Sequence, residues 1–212
     1  MKSPLTLVKS LLAVAGVAAL SAVSAAPASA FNFSNITGGD TVGDAYAGNF
    51  NVEVVDQGDR VLFNIYHLIN PATASSFIRQ VYFDVNNITL ADPWVNIGNF
   101  GTVDFEGGAS NAQLPQGGNN FSTDYYFLRE VPGNDNAIQP GEKFGVSFLG
   151  NYASAVSALN SGALNIGIHV QGLPGGASDS YVTSNTQDTP EPLTMLAEGA
   201  LLGLVLCLKS NA

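Results

Sequence analysis

His67 and His169 are the only histidines in the chain, and its single cysteine, Cys207, stands almost at the C-terminus. No Gly-x-Ser-x-Gly turn occurs, so the sequence lacks the signature of an activated nucleophile paired with a base. On the local alternation, His169 falls on a polar face beside Gly167 and Gln171 and reads as a satisfied or solvated ring. A structural zinc would have to draw most of its ligands from carboxylates. Glu53, Asp56 and Asp59 offer carboxylates of the kind that cleave glycosides in pairs across a cleft. Their place at a turn reads instead as solvated acids. No catalytic residue is expected.

Oxygen ligands suit calcium better. Asn134, Asp135 and Asn136, with Glu142 downstream, combine amide, carboxylate and backbone oxygens on one loop, and Asp40 with Asp44 form a smaller group. The Asp-x-[Asp/Asn]-x-[Asp/Asn]-Gly pattern of a calcium loop is missing, and Asn and Asp are also routine turn formers. Calcium is therefore the one cofactor the residues allow, and none is required. For sugars, the relevant groups are aromatics that stack on a ring face while keeping a polar handle. Trp94 follows Asp92-Pro93 in a loop-like stretch, and Tyr82, Tyr125 and Tyr126 are placed to reach an outer sheet face. Trp94, Tyr82 and Tyr125 form the expected ligand surface. The Asn-x-Ser/Thr sequons at Asn35, Asn87 and Asn120 read as coincidence.

The charge balance narrows the partners. The chain carries 17 acidic and 7 basic residues, for a formal net charge of −10. Between Phe31 and Asp188 the only cations are Arg60, Arg79, Arg129 and Lys143. Such a surface repels nucleic-acid phosphates and anionic headgroups, which excludes a nucleic-acid partner. With no cysteine, that stretch cannot form a disulfide, a pattern usual for bacterial envelope and extracellular proteins.

The elements that must position these residues are strands. Phe50, Val52 and Val54 share one face, with Asn51 and Glu53 on the other. Gln57-Gly58-Asp59 makes a turn, and Val61, Phe63 and Ile65 resume the period, which predicts a hairpin. Further strands are predicted at Val81–Val85, around Tyr125–Phe127, at Phe144–Phe148 and at Leu164–Val170. Asn151 to Ser161 breaks the pattern: Tyr152, Val156 and Leu159 follow helical spacing, and Gly162 marks a C-cap. Residues 96–120, rich in Gly and Asn, read as a long loop or irregular edge strands. The fold class expected is all-β: an antiparallel β-sandwich, jelly-roll-like, with one short helix.

Both ends read as processing segments. Lys2 and Lys9, the apolar run Leu11–Val23 and the Ala28-Ser29-Ala30 site have the order of a secretory signal peptide, with cleavage between Ala30 and Phe31. At the other end, Thr189-Pro190-Glu191-Pro192 interrupts the chain before the largely apolar Leu193–Leu208 and Lys209. As a helix that run spans about 24 Å, less than the ~30 Å hydrocarbon core, which suits transient or weak membrane association through an apolar C-terminal helix. Glu198 interrupts it, and Lys209 is its only flanking base.

Pro190-Glu191-Pro192, the apolar run and the terminal positive charge together resemble the PEP-CTERM sorting signal of exported bacterial proteins. The resemblance covers the tail alone. It implies recognition by an exosortase-type membrane enzyme and association with exopolysaccharide or biofilm material. The stretch from Phe144 to Thr183, with Asn165–Gln171, Leu173–Gly176 and Ser178–Ser180, is similar to domains of such proteins without implying an activity. The expected organisation is a signal peptide at 1–30, an extracytoplasmic domain at 31–188 and a sorting tail at 189–212. The expected partners are the secretory translocon, signal peptidase, the exosortase, and exopolysaccharide or surface proteins. The expected role is structural or adhesive at the cell surface. A carbohydrate-binding module is the alternative, and a small polysaccharide hydrolase or lyase has the least support.

Overall fold

Period-two burial builds the first hairpin as the sequence predicts. In β2 (Phe50–Asp56) the side chains of Phe50, Val52 and Val54 are fully buried, and β3 (Arg60–His67) answers with Val61, Phe63 and Ile65. Gly58 turns the chain at φ +86°, a value that glycine adopts without strain, and its N–H is held by Asp56 Oδ1 at 2.8 Å. The structure is a computed structural model that describes residues 26–36, 41–117 and 121–188. The apolar run Leu11–Val23 of the expected leader, Asp40, Pro190-Glu191-Pro192 and the apolar run Leu193–Leu208 lie outside those residues.

The remaining strands are β1 (Ala28–Asn35), β4 (Phe77–Val85), β5 (Ala91–Val95), β6 (Phe105–Ala109), β7 (Tyr125–Arg129), β8 (Lys143–Leu149), β9 (Leu164–Leu173) and β10 (Ala177–Asp188). All pair antiparallel in one ten-stranded sheet of order β5-β8-β3-β2-β1-β10-β9-β4-β7-β6. The sheet curls on itself until it is nearly closed. Phe63 and Phe148, from β3 and β8, meet Phe83 and Phe127, from β4 and β7, across the interior at 5.1–6.2 Å between ring centroids. The helix α1 (Tyr152–Ser161) covers part of the sheet with Ala155, Ala158 and Leu159. Asn151 caps its start by accepting the Ser154 N–H, and Gly162 at φ +74° ends it.

A curled sheet still has two ends, here β5 and β6. They are joined by a side chain. Asn96, immediately after β5, donates from Nδ2 to the Phe105 carbonyl at 2.9 Å and accepts the Phe105 N–H on Oδ1 at 3.0 Å. The amide thus stands in for a peptide group of a neighbouring strand. Asn96 sits at φ +64°, a region Asn tolerates better than other non-glycine residues. Asn99 secures the clasp, donating to Asn96 Oδ1 and the Val103 carbonyl and accepting the Gly145 N–H, each at 2.9 Å. Gly145 is required there: a Cβ would lie 2.0 Å from the Ile97 carbonyl oxygen.

Residues 96–120, read as a loop or irregular edge, therefore hold both β6 and the clasp. Two other strands escaped the pattern. Pro93 and the positive φ of Asp92 (47°) sit inside β5, which is tolerated because β5 is an edge strand with a bulge between Ala91 and Trp94. At the N-terminal end, Ala28, Ser29 and Ala30 belong to β1 and pair with Val55, Val54 and Glu53 of β2, so the sheet begins three residues before Phe31.

Replacing Asn96 tests the clasp. Asn96→Gly keeps the backbone conformation and deletes both bonds, leaving the Phe105 N–H unpaired; urea denaturation should show a loss of about 1–3 kcal/mol. Asn96→Asp should cost at least as much, because the Nδ2 group that also donates to Asp104 Oδ1 at 2.7 Å becomes a like charge.

Candidate functional site

Both histidines are built into the fold. His67 is 1% exposed, with Nδ1 3.3 Å from the Ile138 carbonyl and Nε2 3.2 Å from Ser76 Oγ. The carbonyl can only accept, so Nδ1 carries the proton of the neutral ring. Burial lowers its pKa to about 4, against the smaller opposing pull of the Ile138 carbonyl and Glu142. His169 meets Ser180 Oγ at 3.0 Å, and its pKa is also lowered, by burial first and then by the Arg79 charge. Each is a histidine–serine pair in the manner of a base and nucleophile. Ser76 and Ser180 are both fully buried, so neither hydroxyl meets a substrate.

The carboxylates are likewise engaged. Glu53 Oε2 accepts from Asn64 Nδ2 at 3.0 Å and from the Tyr66 hydroxyl at 2.8 Å, and the Tyr66 pKa is raised by burial and by this partner. A cleft of about 280 Å³ lies beside them, lined by Ala28, Ser29, Ala30, Asn51 and Leu68. Glu142 accepts the Thr102 N–H on Oε1 and the Gln139 N–H on Oε2, both at 2.9 Å. The Asn134 carbonyl accepts from Ala137 N and Gln139 Nε2, the Asp135 carbonyl accepts the Thr102 hydroxyl, and Asn136 Nδ2 reaches the Glu130 carbonyl. This loop ties residues 102–104 to residues 130–142. Both Glu142 oxygens and the Asn134 and Asp135 carbonyls are thus already engaged within the protein, and the loop is braced by hydrogen bonds of its own. No group of three metal-binding side chains occurs among the described residues.

The three aromatics do not share a surface. Tyr82 does lie on the outer face of β4, but it is 1% exposed, covered by Tyr126 at 5.1 Å and Phe121 at 6.5 Å. Gly167 makes room for that cover, since a Cβ would lie 2.7 Å from Leu114 Cδ2 and 3.1 Å from Phe121 Cζ. Tyr125 turns inward, its ring 4.9 Å from Phe148 and its hydroxyl donating to the Leu90 carbonyl. Tyr82 is thus on the expected face but covered, and the expectation that Tyr125 reaches that face is corrected. Trp94 alone remains available, 54% exposed.

What the sequence did not mark is the group behind Trp94. The Arg60 guanidinium lies 3.7 Å from the centre of the Trp94 ring and is itself 6% exposed. Ser147 Oγ and the Ser147 carbonyl accept from it at 3.1 and 2.7 Å, and the Asp92 carbonyl and Oδ2 complete the set. Arg60–Asp92 is the only ion pair among the described residues. One face of the indole is thereby fixed by a buried cation. The scarcity of cations was the available signal, since Arg60 is one of only four in the stretch from Phe31 to Asp188. No family model, no curated protein and no solved structure matches the chain.

The buried histidines predict a pH response. His67 is depressed from its unfolded value of 6.5 to about 4, so between these values the unfolded chain binds the extra proton. Stability present above pH 6.5 is lost as pH falls toward 4, by on the order of 3 kcal/mol for this residue. Urea midpoints measured from pH 7 to pH 4 should fall accordingly, and His67→Gln should flatten the slope.

Proposed function

We propose that this chain is an exported cell-surface or extracellular-matrix protein, sorted through its tail and structural or adhesive in an envelope, exopolysaccharide or biofilm layer. The observation that carries the reading is the pairing of Ala30 with Asp188. The last residue of the expected leader and the last residue before the expected tail are neighbours on adjacent strands. Both processing segments thus depart side by side, near the start of α1, where Ser29 Oγ meets the Tyr152 hydroxyl at 2.8 Å. Engagement of all the histidines and of the clustered carboxylates favours a scaffold over an enzyme. Contacts of β3 and β8 with β4 and β7 across the interior further support a flattened, sandwich-like ring of the jelly-roll kind.

A second reading, a carbohydrate-binding module, is favoured by Trp94. An indole that is half exposed and held flat against a buried arginine is a platform for a sugar face. A neutral glycan that occupies it should shift tryptophan emission saturably, and Trp94→Ala should abolish binding. Binding that survives the substitution would remove this reading.

Termini test the sorting proposal. Intact masses of the protein from host envelope and from medium should give a mature form starting at Phe31 and ending near Pro190-Glu191-Pro192. Because Ala28–Ala30 pair with β2, cleavage must precede the docking of β1, and protein folded before export should resist signal peptidase. A form retaining Leu193–Ala212 in every fraction would contradict exosortase processing.

A further inference from the structure

Two exposed aromatic residues lie on one line of the sheet. Trp94 of β5 pairs with Ser147 of β8, and Phe100, beyond the end of β5, bridges to Lys143 of the same strand. Paired residues of antiparallel strands project to one face, and Ser147 and Lys143, four positions apart, project alike. That face is the outer one, since Phe144 and Val146, which alternate with them, are fully buried. The two rings therefore stand on the same side of β8, separated by a rise of about 13 Å along it. Trp94 is 54% exposed and Phe100 65%. A single exposed ring is ordinary, but two aligned along one strand mark a surface with a use.

Between the two rings β8 raises no side chain. It offers Gly145 alone, over which the Ile97 carbonyl lies. Both platforms are held in place. The Arg60 guanidinium backs the Trp94 ring. Phe100 exchanges both backbone hydrogen bonds with Lys143, at 3.1 and 3.2 Å, and stands within the loop that Asn96 and Asn99 secure. Polar groups flank each ring. At Trp94 these are the exposed Asp92 carboxylate and the Gln57 amide, which accepts from Ser147 Oγ at 2.7 Å. Opposite Phe100 stands Lys143, which has no carboxylate within ion-pair distance among the described residues.

We propose that Trp94 and Phe100 are two subsites for one neutral, extended, β-linked polysaccharide chain lying along the outer face of β8. The proposal rests on the reading of Trp94 as a sugar platform, and adds to it the second ring and the class of chain. The C–H face of a sugar ring packs on an aromatic ring, while the hydroxyls at its rim meet the flanking polar groups. Two rings in line, with no side chain of β8 between them, suit a chain that stays straight. Charge sets the rest. Arg60 and Lys143, one beside each ring, disfavour a cationic chain, and the acidic domain repels a polyanion. Platforms fixed before binding reduce the ordering cost of association.

The test is calorimetric titration of the full chain with cellobiose and with cellohexaose, which is long enough to reach both rings. Cellohexaose should bind about tenfold or more tighter than cellobiose. Phe100→Ala should remove that advantage and leave the cellobiose affinity unchanged, and Phe100→Tyr, which keeps a ring, should restore it. Trp94→Ala should abolish binding of both. Val131→Ala, which trims an exposed apolar side chain beyond β7, should change neither affinity. Equal affinities for the two sugars, or a cellohexaose affinity that survives Phe100→Ala, would overturn the second subsite. Cellobiose binding lost in Trp94→Ala would still leave the Trp94 platform standing in that case. Failure of both sugars to bind would overturn the proposal and count against the platform itself. A dimer in sedimentation that Phe100→Ala dissociates, with no sugar bound, would make this face an interface between copies and overturn the proposal as well.

Discussion

Everything in this domain depends on joining the two ends of one sheet. Ten antiparallel strands with a strong twist will curl, but curling alone leaves two rows of unpaired backbone groups at β5 and β6. The domain has no disulfide to draw them together. It uses the Asn96 amide, whose donor and acceptor copy the spacing of a peptide group and bind both polar groups of Phe105. Asn99 then fixes that amide and reaches Gly145 on β8, so the clasp is braced from the strand beside β5. With the ends held, the phenylalanines of opposite sides of the ring can interlock.

The same economy governs charge. Four cations serve a domain of fifteen acids, and each has a distinct place. Arg60 is buried behind Trp94 and holds β3, β5 and β8 together through Ser147 and Asp92. Lys143 lies over the Tyr66 ring at 5.7 Å. Among the described residues no carboxylate lies within ion-pair distance of Arg79 or of Arg129. Surface acids elsewhere serve as turn caps, as Asp56 does, or as braces, as Glu142 does. The proposed scaffold role draws its support from the burial of both histidines and from carboxylates engaged within the protein.

Much of this was legible where the cause is local. Phe50, Val52 and Val54 announce their strand because burial on one face imposes a period of two. Asn151 and Gly162 announce α1 because caps act within a few residues. Ala28–Ala30 gave no sign of their strand, because small residues that suit a peptidase also suit a strand. Pro93 concealed β5, since a proline disqualifies a central strand but not an edge. The clasp left no trace, because a bond from a side-chain amide to a backbone nine positions away has no period. Tyr82 was placed on the correct face, yet its cover by Leu114 and Phe121 depends on Gly167, a contact between distant segments. Tyr82 is lost to a ligand surface for that reason and Tyr125 because it turns inward, which leaves Trp94 with Arg60 behind it.

Closure through Asn96 is the claim on which the rest stands, and the Phe105 amide reports on it directly. Hydrogen exchange measured residue by residue should find the Phe105 N–H protected as strongly as the amides of β3 and β8, with a scalar coupling across the hydrogen bond to the Asn96 side-chain carbonyl carbon. A Phe105 amide that exchanges as fast as those of exposed turns, with no such coupling, would mean an open sheet with two free edges and would contradict the account.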